Sequence, residues 1–191
     1  VPEALRLAAD GARVMGDSGK KVVLADAPPC TDEVKPILKT DPAAVPLKEK
    51  LDLTAGYSRL MLEMPDIVAT NVSYSEVDRD KFFVSTRGAG IRERVVTVAI
   101  GGEAVAERNG LLQNIRVAVG GADGFHRLLG REQEFRRRAE LASALLNAEP
   151  LKAGTYDVVL NSSMTGVFAH EAFGHFSEAD IIEDNSSLRA K

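Results

Sequence analysis

Residues 81–100 read KFFVSTRGAGIRERVVTVAI, and this stretch decides the fold. It is typical of two β-strands joined at Gly88-Ala89-Gly90. On its N-terminal side, apolar residues from Val68 to Tyr74 alternate with polar ones, which is the two-residue periodicity of a strand. On its C-terminal side, Ile115, Val117 and Val119 predict a further strand. Short strands joined by tight turns predict an antiparallel meander rather than a βαβ series.

Six glycines lie in this region, and none of them lies between a strand and a helix, as the glycines of a phosphate-binding loop do. We interpret them as hairpin turns. They are Gly88, Gly90, Gly101, Gly102, Gly120 and Gly121.

Three helices are predicted around the meander, at residues 2–16, about 47–64 and about 124–147. A short apolar strand, KVVLAD at 21–26, and a proline-rich connection at 31–46 lie between the first two. The predicted core positions of the second helix are Leu47, Leu51, Ala55 and Leu62. Those of the third helix are Phe135, Ala139, Ala142 and Leu146, and the arginines at 136–138 are interpreted as a solvated face.

The amino-acid composition excludes several classes of function. Apolar residues make up 45% of the 191 and charged residues 27%, which is ordinary for a soluble globular protein. The net charge of −4, the 5% aromatic content and the absence of tryptophan argue against nucleic-acid binding. No apolar run approaches the roughly 18 residues of a membrane span. The single cysteine, Cys30, excludes an internal disulfide and a Cys-rich zinc module, and agrees with a reducing compartment.

Residues 150–154 are the best domain boundary, and a short apolar strand, YDVVL at 156–160, follows them. Asn161, Ser162 or Ser163 is then placed to cap a helix by accepting a hydrogen bond from a free N–H group. We therefore predict an α+β fold, with an antiparallel meander, flanking helices and the first strand and metal-site helix of a C-terminal domain. The predicted domains are 1–20, the end of an N-terminal domain; 21–149, a middle domain; and 150–191, the start of a truncated C-terminal domain.

The last predicted helix carries FAHEAFGHFSE at 168–178, in which His170 and Glu171 are followed by His175. Hydrolytic zinc sites use two imidazoles to hold the ion and an adjacent glutamate to take a proton from water. The usual HExxH spacing sets the two histidines about 40° apart on a helix, whereas HExxxH sets them about 140° apart. Either the pair is not a site, or the helix is distorted locally. A π-bulge absorbs one extra residue, and Gly174 is where it would be easiest.

Two carboxylates follow the second histidine. Glu178 is three residues beyond His175, so it either faces the same ion or orients a histidine. Asp180 is interpreted as an outer or surface charge. His126 elsewhere is interpreted as a capping or surface imidazole.

The longer string PLKAGTYDVVLNSSMTGVFAHEAFGHFSEAD, at 150–180, resembles the segment that identifies the TldD side of the TldD/PmbA metallopeptidase family. The shared elements are Gly154, the apolar run 158–160, Gly166, HEAFGH at 170–175, Glu178 and Asp180. Upstream, the β-rich stretch 73–100 and the helix 124–147 agree with the plan of the family's middle portion.

The resemblance implies a Zn²⁺-dependent cytoplasmic peptidase that hydrolyses flexible or unfolded peptides. His170 and His175 would be zinc ligands, and Glu171 the general base. It also implies a PmbA-like partner subunit, or a homo-oligomer. The acidic composition and the short apolar runs lead us to expect no direct nucleic-acid binding and no membrane binding. Family members are also called modulators of DNA gyrase, which we interpret as an indirect effect.

The family's third zinc ligand is a cysteine from later in the C-terminal domain, and Cys30 does not match it. The chain starts without methionine in a helical stretch and stops soon after the motif. We therefore expect a piece of a longer protein, with the third ligand beyond Lys191 and no activity by itself. The alternative is a non-catalytic scaffold or partner that binds extended peptides or assembles with a peptidase subunit.

Overall fold

The computed structural model describes residues 2–14 and 28–184. The chain divides into two compact units, Val1–Ala148 and Glu149–Lys191, which are described separately. The fold is α+β, as predicted. The predicted strand at 21–26 and the last two residues of the first predicted helix lie outside the described residues.

The first unit contains three helices and four strands among its described residues. They are α1 (Pro2–Val14), β1 (Thr31–Val34), α2 (Leu47–Leu62), β2 (Ile67–Val84), β3 (Gly90–Arg108), β4 (Leu111–Gly121) and α3 (Glu132–Leu145). Single 3-10 turns precede α2 and α3, at Pro42–Ala44 and Phe125–Leu128. The first of these turns is capped by Asp41, whose side chain accepts from the amide of Ala43 at 2.9 Å.

The sheet is built on β3, its longest strand. β2 pairs antiparallel with β3 from one end to the other, and β4 pairs antiparallel with the second half of β3. The predicted meander is confirmed. β1 adds a strand that was predicted as connection, and it runs parallel to residues 90–93 at the start of β3. Four polar or short residues carry little strand periodicity, so this pairing depends on tertiary contact.

The turn predicted at Gly88-Ala89-Gly90 is confirmed, because β2 ends at Val84, β3 begins at Gly90 and Gly88 has a φ of 90°. The turns predicted at the other four glycines are wrong, since Gly101 and Gly102 lie inside β3 and Gly120 and Gly121 are the paired end of β4. Gly102 allows a close approach instead, because a Cβ there would lie 2.6 Å from the carbonyl oxygen of Asn71 on β2. The real β3–β4 turn is Asn109-Gly110, with φ of 54° and 82°. That pair favours the two-residue hairpin loop with positive φ at both positions, and the Asn-Gly signal predicts it.

The core lies between one face of the sheet and the helices α2 and α3. The predicted stripe of α3 is confirmed, since Phe135, Ala139, Ala142 and Leu146 are all buried. The arginines at 136–138 on the opposite side are exposed, as predicted. The sheet and the turn before α3 contribute further buried apolar side chains to this core, among them Ile67, Val98, Ile100, Val117, Val119, Phe125 and Leu128.

The predicted core face of α2 is wrong. Leu47, Leu51 and Leu62 are exposed, and the buried residues are Lys50, Thr54, Tyr57 and Met61. The aromatic ring of Tyr57 stacks on Phe135 at 4.3 Å between ring centroids. Its hydroxyl donates to the carbonyl of Leu128 at 2.5 Å and accepts from the amide of Arg131 at 3.1 Å. These polar contacts select a face that apolar periodicity alone does not indicate.

A partly buried ion pair lies between α2 and β2. Lys50 Nζ on α2 donates to Glu76 Oε2 on β2 at 2.5 Å, and the hydroxyl of Tyr74 donates to the same oxygen at 2.6 Å. The hydrogen bonds from Lys50 and Tyr74 lower the pKa of Glu76. Burial, followed by the hydrogen bond to Glu76, raises the pKa of Tyr74.

The described residues of the second unit form two helices, α4 (Ser162–Ala169) and α5 (Ala179–Asp184), and the turns between them. The predicted strand 156–160 is wrong, because these residues form neither helix nor strand, and Val158 and Val159 are exposed. A strand requires a neighbour for its backbone hydrogen bonds, and no described residue of this unit forms one. None of the helices in the described part of the chain is long and apolar enough to cross a membrane.

Candidate metal centre

The helix that carries the histidines begins at a side-chain cap. The side chain of Asn161 accepts from the amide of Met164 at 2.9 Å, which satisfies one of the free N–H groups at the start of α4. Of the three residues predicted to cap this helix, Asn161 does so. The cap sets where the helix starts, and therefore where His170 lies at its other end.

Directly after α4, residues His170–Gly174 form a π-turn. The amide of His175 donates to the carbonyl of His170, five residues earlier, instead of to the carbonyl four residues earlier. The predicted distortion at this place is confirmed. The wider turn brings residue 175 over residue 170, so the extra residue no longer rotates the second histidine away from the first.

The three polar side chains of the HEAFGH segment therefore converge. The rings of His170 and His175 meet edge to face, with centroids 4.6 Å apart and planes at 70°. One donor atom each from His170, Glu171 and His175 lies within 4.8 Å of the other two. These are the residues that the sequence motif selected, and their predicted roles as ligands and base stay predictions.

Gly174 leaves room for this arrangement. A Cβ at Gly174 would lie 3.3 Å from Nδ1 of His170, with two further ring atoms within 3.8 Å. The backbone there is ordinary right-handed helix, with φ of −58° and ψ of −55°. The glycine therefore provides space beside the imidazole, which an alanine Cβ would push aside by a few tenths of an ångström, and does not serve an unusual backbone angle. The sequence pattern does not indicate this steric role.

The carboxylate of Glu178 lies against the second histidine. Its Oε1 is 2.6 Å from Nδ1 of His175, well within hydrogen-bond distance. The other ring nitrogen, Nε2, is 3.5 Å from Oε2 of Glu171. One nitrogen of His175 is thus engaged by Glu178, and the other faces the donor cluster.

The remaining candidate residues have surroundings of their own. Asp180 accepts from the amide of Ile181 at 3.0 Å at the start of α5 and is exposed, as expected of a surface charge. Cys30 is exposed before β1 in the first unit. His126, in the 3-10 turn before α3, is half-buried with Nε2 3.5 Å from Oδ2 of Asp123.

The donor set fits a divalent transition metal. Imidazole nitrogens with a carboxylate are ligands that Zn²⁺ and its neighbours prefer, and Ca²⁺ or Mg²⁺ would favour an all-oxygen set. His170 and Glu171 are exposed and His175 is half-buried, so the cluster is open to a small ion. Metallohydrolases use donor sets of this kind.

Comparison with known proteins agrees with this class. The sequence pattern of the PmbA/TldA metallopeptidase central domain matches residues 40–149, more than half of the chain. The chain therefore belongs to the TldD/PmbA family of metallopeptidases.

Individual relatives support the same family. A metalloprotease of Methanothermobacter thermautotrophicus is 32% identical over 92% of this chain and 39% of its own length. A metalloprotease of Methanocaldococcus jannaschii is 32% identical over 90% of this chain and 38% of its own length. A zinc metalloprotease TldD homolog of Saccharolobus solfataricus is 45% identical over 40 residues, which are 21% of this chain and 9% of the relative. The chain thus spans about two fifths of the length of the first two relatives.

Proposed function

We propose that this chain carries the zinc-binding helix of a metallopeptidase that hydrolyses flexible or unfolded peptides. The observation that carries the proposal is the π-turn, which gathers His170, Glu171 and His175 within 4.8 Å of one another. A structural pair of histidines has no need of a helix distortion that brings their rings together. The name of one relative, a zinc metalloprotease, supports zinc as the ion.

Each residue has a defined task in this proposal. His170 and His175 hold the ion through ring nitrogens, and Zn²⁺ supplies a Lewis acid that makes water a usable nucleophile near neutral pH. Glu171 accepts a proton from the attacking water and later donates it to the leaving amine. Its carboxylate faces Nε2 of His175 and is exposed, so water and substrate reach it.

The whole protein completes the site in this proposal. Two histidines leave a zinc ion short of the three protein ligands that catalytic sites use. Following the family resemblance, the third ligand is a cysteine beyond Lys191, the protein is cytoplasmic, and it assembles with a PmbA-like subunit or a second copy. An extended or unfolded peptide is the substrate.

Replacement of Glu171 by Gln tests the proposal in the whole protein with its partner present. Cleavage of an unfolded peptide should fall by about 10²–10⁴-fold, because general acid–base catalysis contributes that much. Bound zinc, measured by elemental analysis, should stay stoichiometric, and Asp180→Asn should keep both cleavage and zinc. If the protein is instead a non-catalytic scaffold or partner, the Glu171→Gln variant should cleave the peptide as fast as the wild type does. That result would show that Glu171 takes no part in the reaction.

A further inference from the structure

The two ring nitrogens of His175 have different surroundings. Nδ1 is 2.6 Å from Oε1 of Glu178, a hydrogen bond, whereas Nε2 is 3.5 Å from Oε2 of Glu171, beyond hydrogen-bond distance. A carboxylate only accepts hydrogen bonds when ionised. The proton of a neutral imidazole is therefore held on Nδ1, and the lone pair of Nε2 is left free toward His170 and Glu171.

The backbone fixes Glu178 in this position. Its amide donates to the carbonyl of His175 at 3.2 Å, and its carbonyl accepts from the amide of Ile182 at 3.0 Å. With φ of −76° and ψ of 131°, Glu178 is the extended residue at which the 3-10 turn His175–Ser177 ends. The carboxylate is thus attached at the junction between two helical segments, where the backbone of Glu178 is hydrogen-bonded on both sides.

Glu178 is not a member of the donor group that lies within 4.8 Å, although the four residues are close in sequence. Its carboxylate bonds Nδ1 of His175, whereas Nε2 is the nitrogen that lies 3.5 Å from Glu171, a member of the group. The geometry points to Glu178 as a positioning residue, which sets the tautomer and ring orientation of His175 so that Nε2 binds the ion. This inference rests on the proposed function for the identity of the ion only.

Substitutions at Glu178 and at Asp180 distinguish a positioning role from a ligand role. A ligand role predicts that Glu178 touches the ion, so that an amide in its place is as damaging as alanine. If Glu178 is a positioning residue, the amide oxygen of Glu178→Gln should still accept a hydrogen bond from Nδ1–H. This variant should therefore keep part of the wild-type zinc affinity. Asp180, exposed and bonded only to its neighbour's amide, offers a control that removes the same charge two residues away.

The test uses the whole protein labelled with ¹⁵N-histidine, free of metal and at a pH where the ring is neutral. His175 is assigned by subtraction of the His175→Gln spectrum. The wild type should show the Nδ1-protonated tautomer, Glu178→Ala should lose that preference, and Glu178→Gln and Asp180→Ala should keep it. Competition with a chromophoric chelator should then show zinc affinity reduced by about 10–100-fold for Glu178→Ala, less for Glu178→Gln, and unchanged for Asp180→Ala.

An unchanged tautomer in Glu178→Ala would overturn the inference. Equal zinc losses in the Ala and Gln variants, with an altered visible spectrum of the Co²⁺ form, would also overturn it, because Glu178 would then be a ligand. Failure of the wild type to bind zinc would refute the proposed function instead. In that case the tautomer in the metal-free protein still decides the role of Glu178.

Discussion

The amide of His175 donates to the carbonyl of His170, five residues earlier in the chain. In a regular α-helix the same amide would reach the carbonyl of Glu171, and the two histidines would point about 140° apart. The one-residue widening converts a spacing that separates the rings into one that brings their centroids to 4.6 Å. The five-residue HExxxH spacing therefore brings the two imidazoles together only because the helix contains a π-turn at the same place.

Gly174→Ala should weaken metal binding without loss of stability. The new Cβ would lie 3.3 Å from Nδ1 of His170 and displace the ring, and we expect zinc affinity to fall by about 10–100-fold. Alanine is favoured over glycine in helical backbone by about 0.5–1 kcal/mol, so the free energy of unfolding should not decrease. Chelator competition and urea unfolding measure the two quantities.

Gly166→Ala is the matched control for that experiment. Gly166 lies in α4, and among the described residues nothing lies within 4 Å of a Cβ there. This variant should bind zinc as the wild type does. Equal zinc affinity for the variants at 174 and 166 would mean that the ring of His170 does not need the space.

Glu76→Gln should reduce the acid sensitivity of the fold. The folded-state pKa of Glu76 is lowered by Lys50 and Tyr74, so its stabilisation is complete above the unfolded pKa of about 4.3. It is lost as the pH falls through the lower folded value. The wild type should therefore lose more free energy of unfolding than Glu76→Gln between pH 5.5 and pH 3, by up to about 1.8 kcal/mol, because pH 3 lies about 1.3 units below the unfolded pKa and each unit is worth about 1.36 kcal/mol.

Urea unfolding across that pH range measures this difference. At pH 7 the variant should be the less stable protein, because Lys50 is left buried opposite a neutral amide. Glu140→Gln on the exposed side of α3 should show the pH dependence of the wild type. Parallel curves for wild type and Glu76→Gln would contradict the assignment.

Tyr57→Phe should destabilise the first unit by about 1–3 kcal/mol. The substitution leaves the carbonyl of Leu128 and the amide of Arg131 without the hydroxyl that joins them to α2. Urea unfolding measures the loss. Tyr156→Phe removes an exposed hydroxyl bonded to the carbonyl of Lys152, so it should change stability by less than about 0.5 kcal/mol; equal effects of the two variants would refute the importance of the Tyr57 contacts.

Gly110→Ala should destabilise the β3–β4 hairpin by about 1–2 kcal/mol, because its φ of 82° is unfavourable for a residue with a Cβ. Gly56→Ala provides a contrast of opposite sign. Gly56 lies in α2 with open space around it, so alanine there should stabilise by about 0.5–1 kcal/mol. Thermal unfolding of both variants tests the pair, and a neutral Gly110→Ala would contradict the turn assignment.

Hydrophobic periodicity correctly predicted those parts of the fold in which apolar contacts alone determine the buried face. The stripe of α3 and the antiparallel meander follow from it, because each residue's face is set by its position in a regular element. The face of α2 does not follow, because Lys50, Thr54 and Tyr57 are buried through specific polar bonds. The parallel pairing of β1 and the missing strand at 156–160 depend on which partner is available, and local sequence does not encode that.

The candidate site could be predicted further than the fold around it. The spacing of His170 and His175 demanded a distortion, and a π-turn occurs at that place. The steric fit of Gly174 against His170 could not be predicted, because it depends on the path of the backbone through the turn. The sequence also left open whether Glu178 faces the ion or a histidine, and its 2.6 Å contact with Nδ1 of His175 favours the latter.

The most direct test of the central claim is a crystal structure of the zinc-loaded whole protein, with anomalous data collected at the zinc absorption edge. The account predicts one zinc peak bonded to ring nitrogens of both His170 and His175, with the amide of His175 still donating to the carbonyl of His170. A zinc peak bonded to only one of these histidines, or a regular α-helix through residues 170–175, would contradict it.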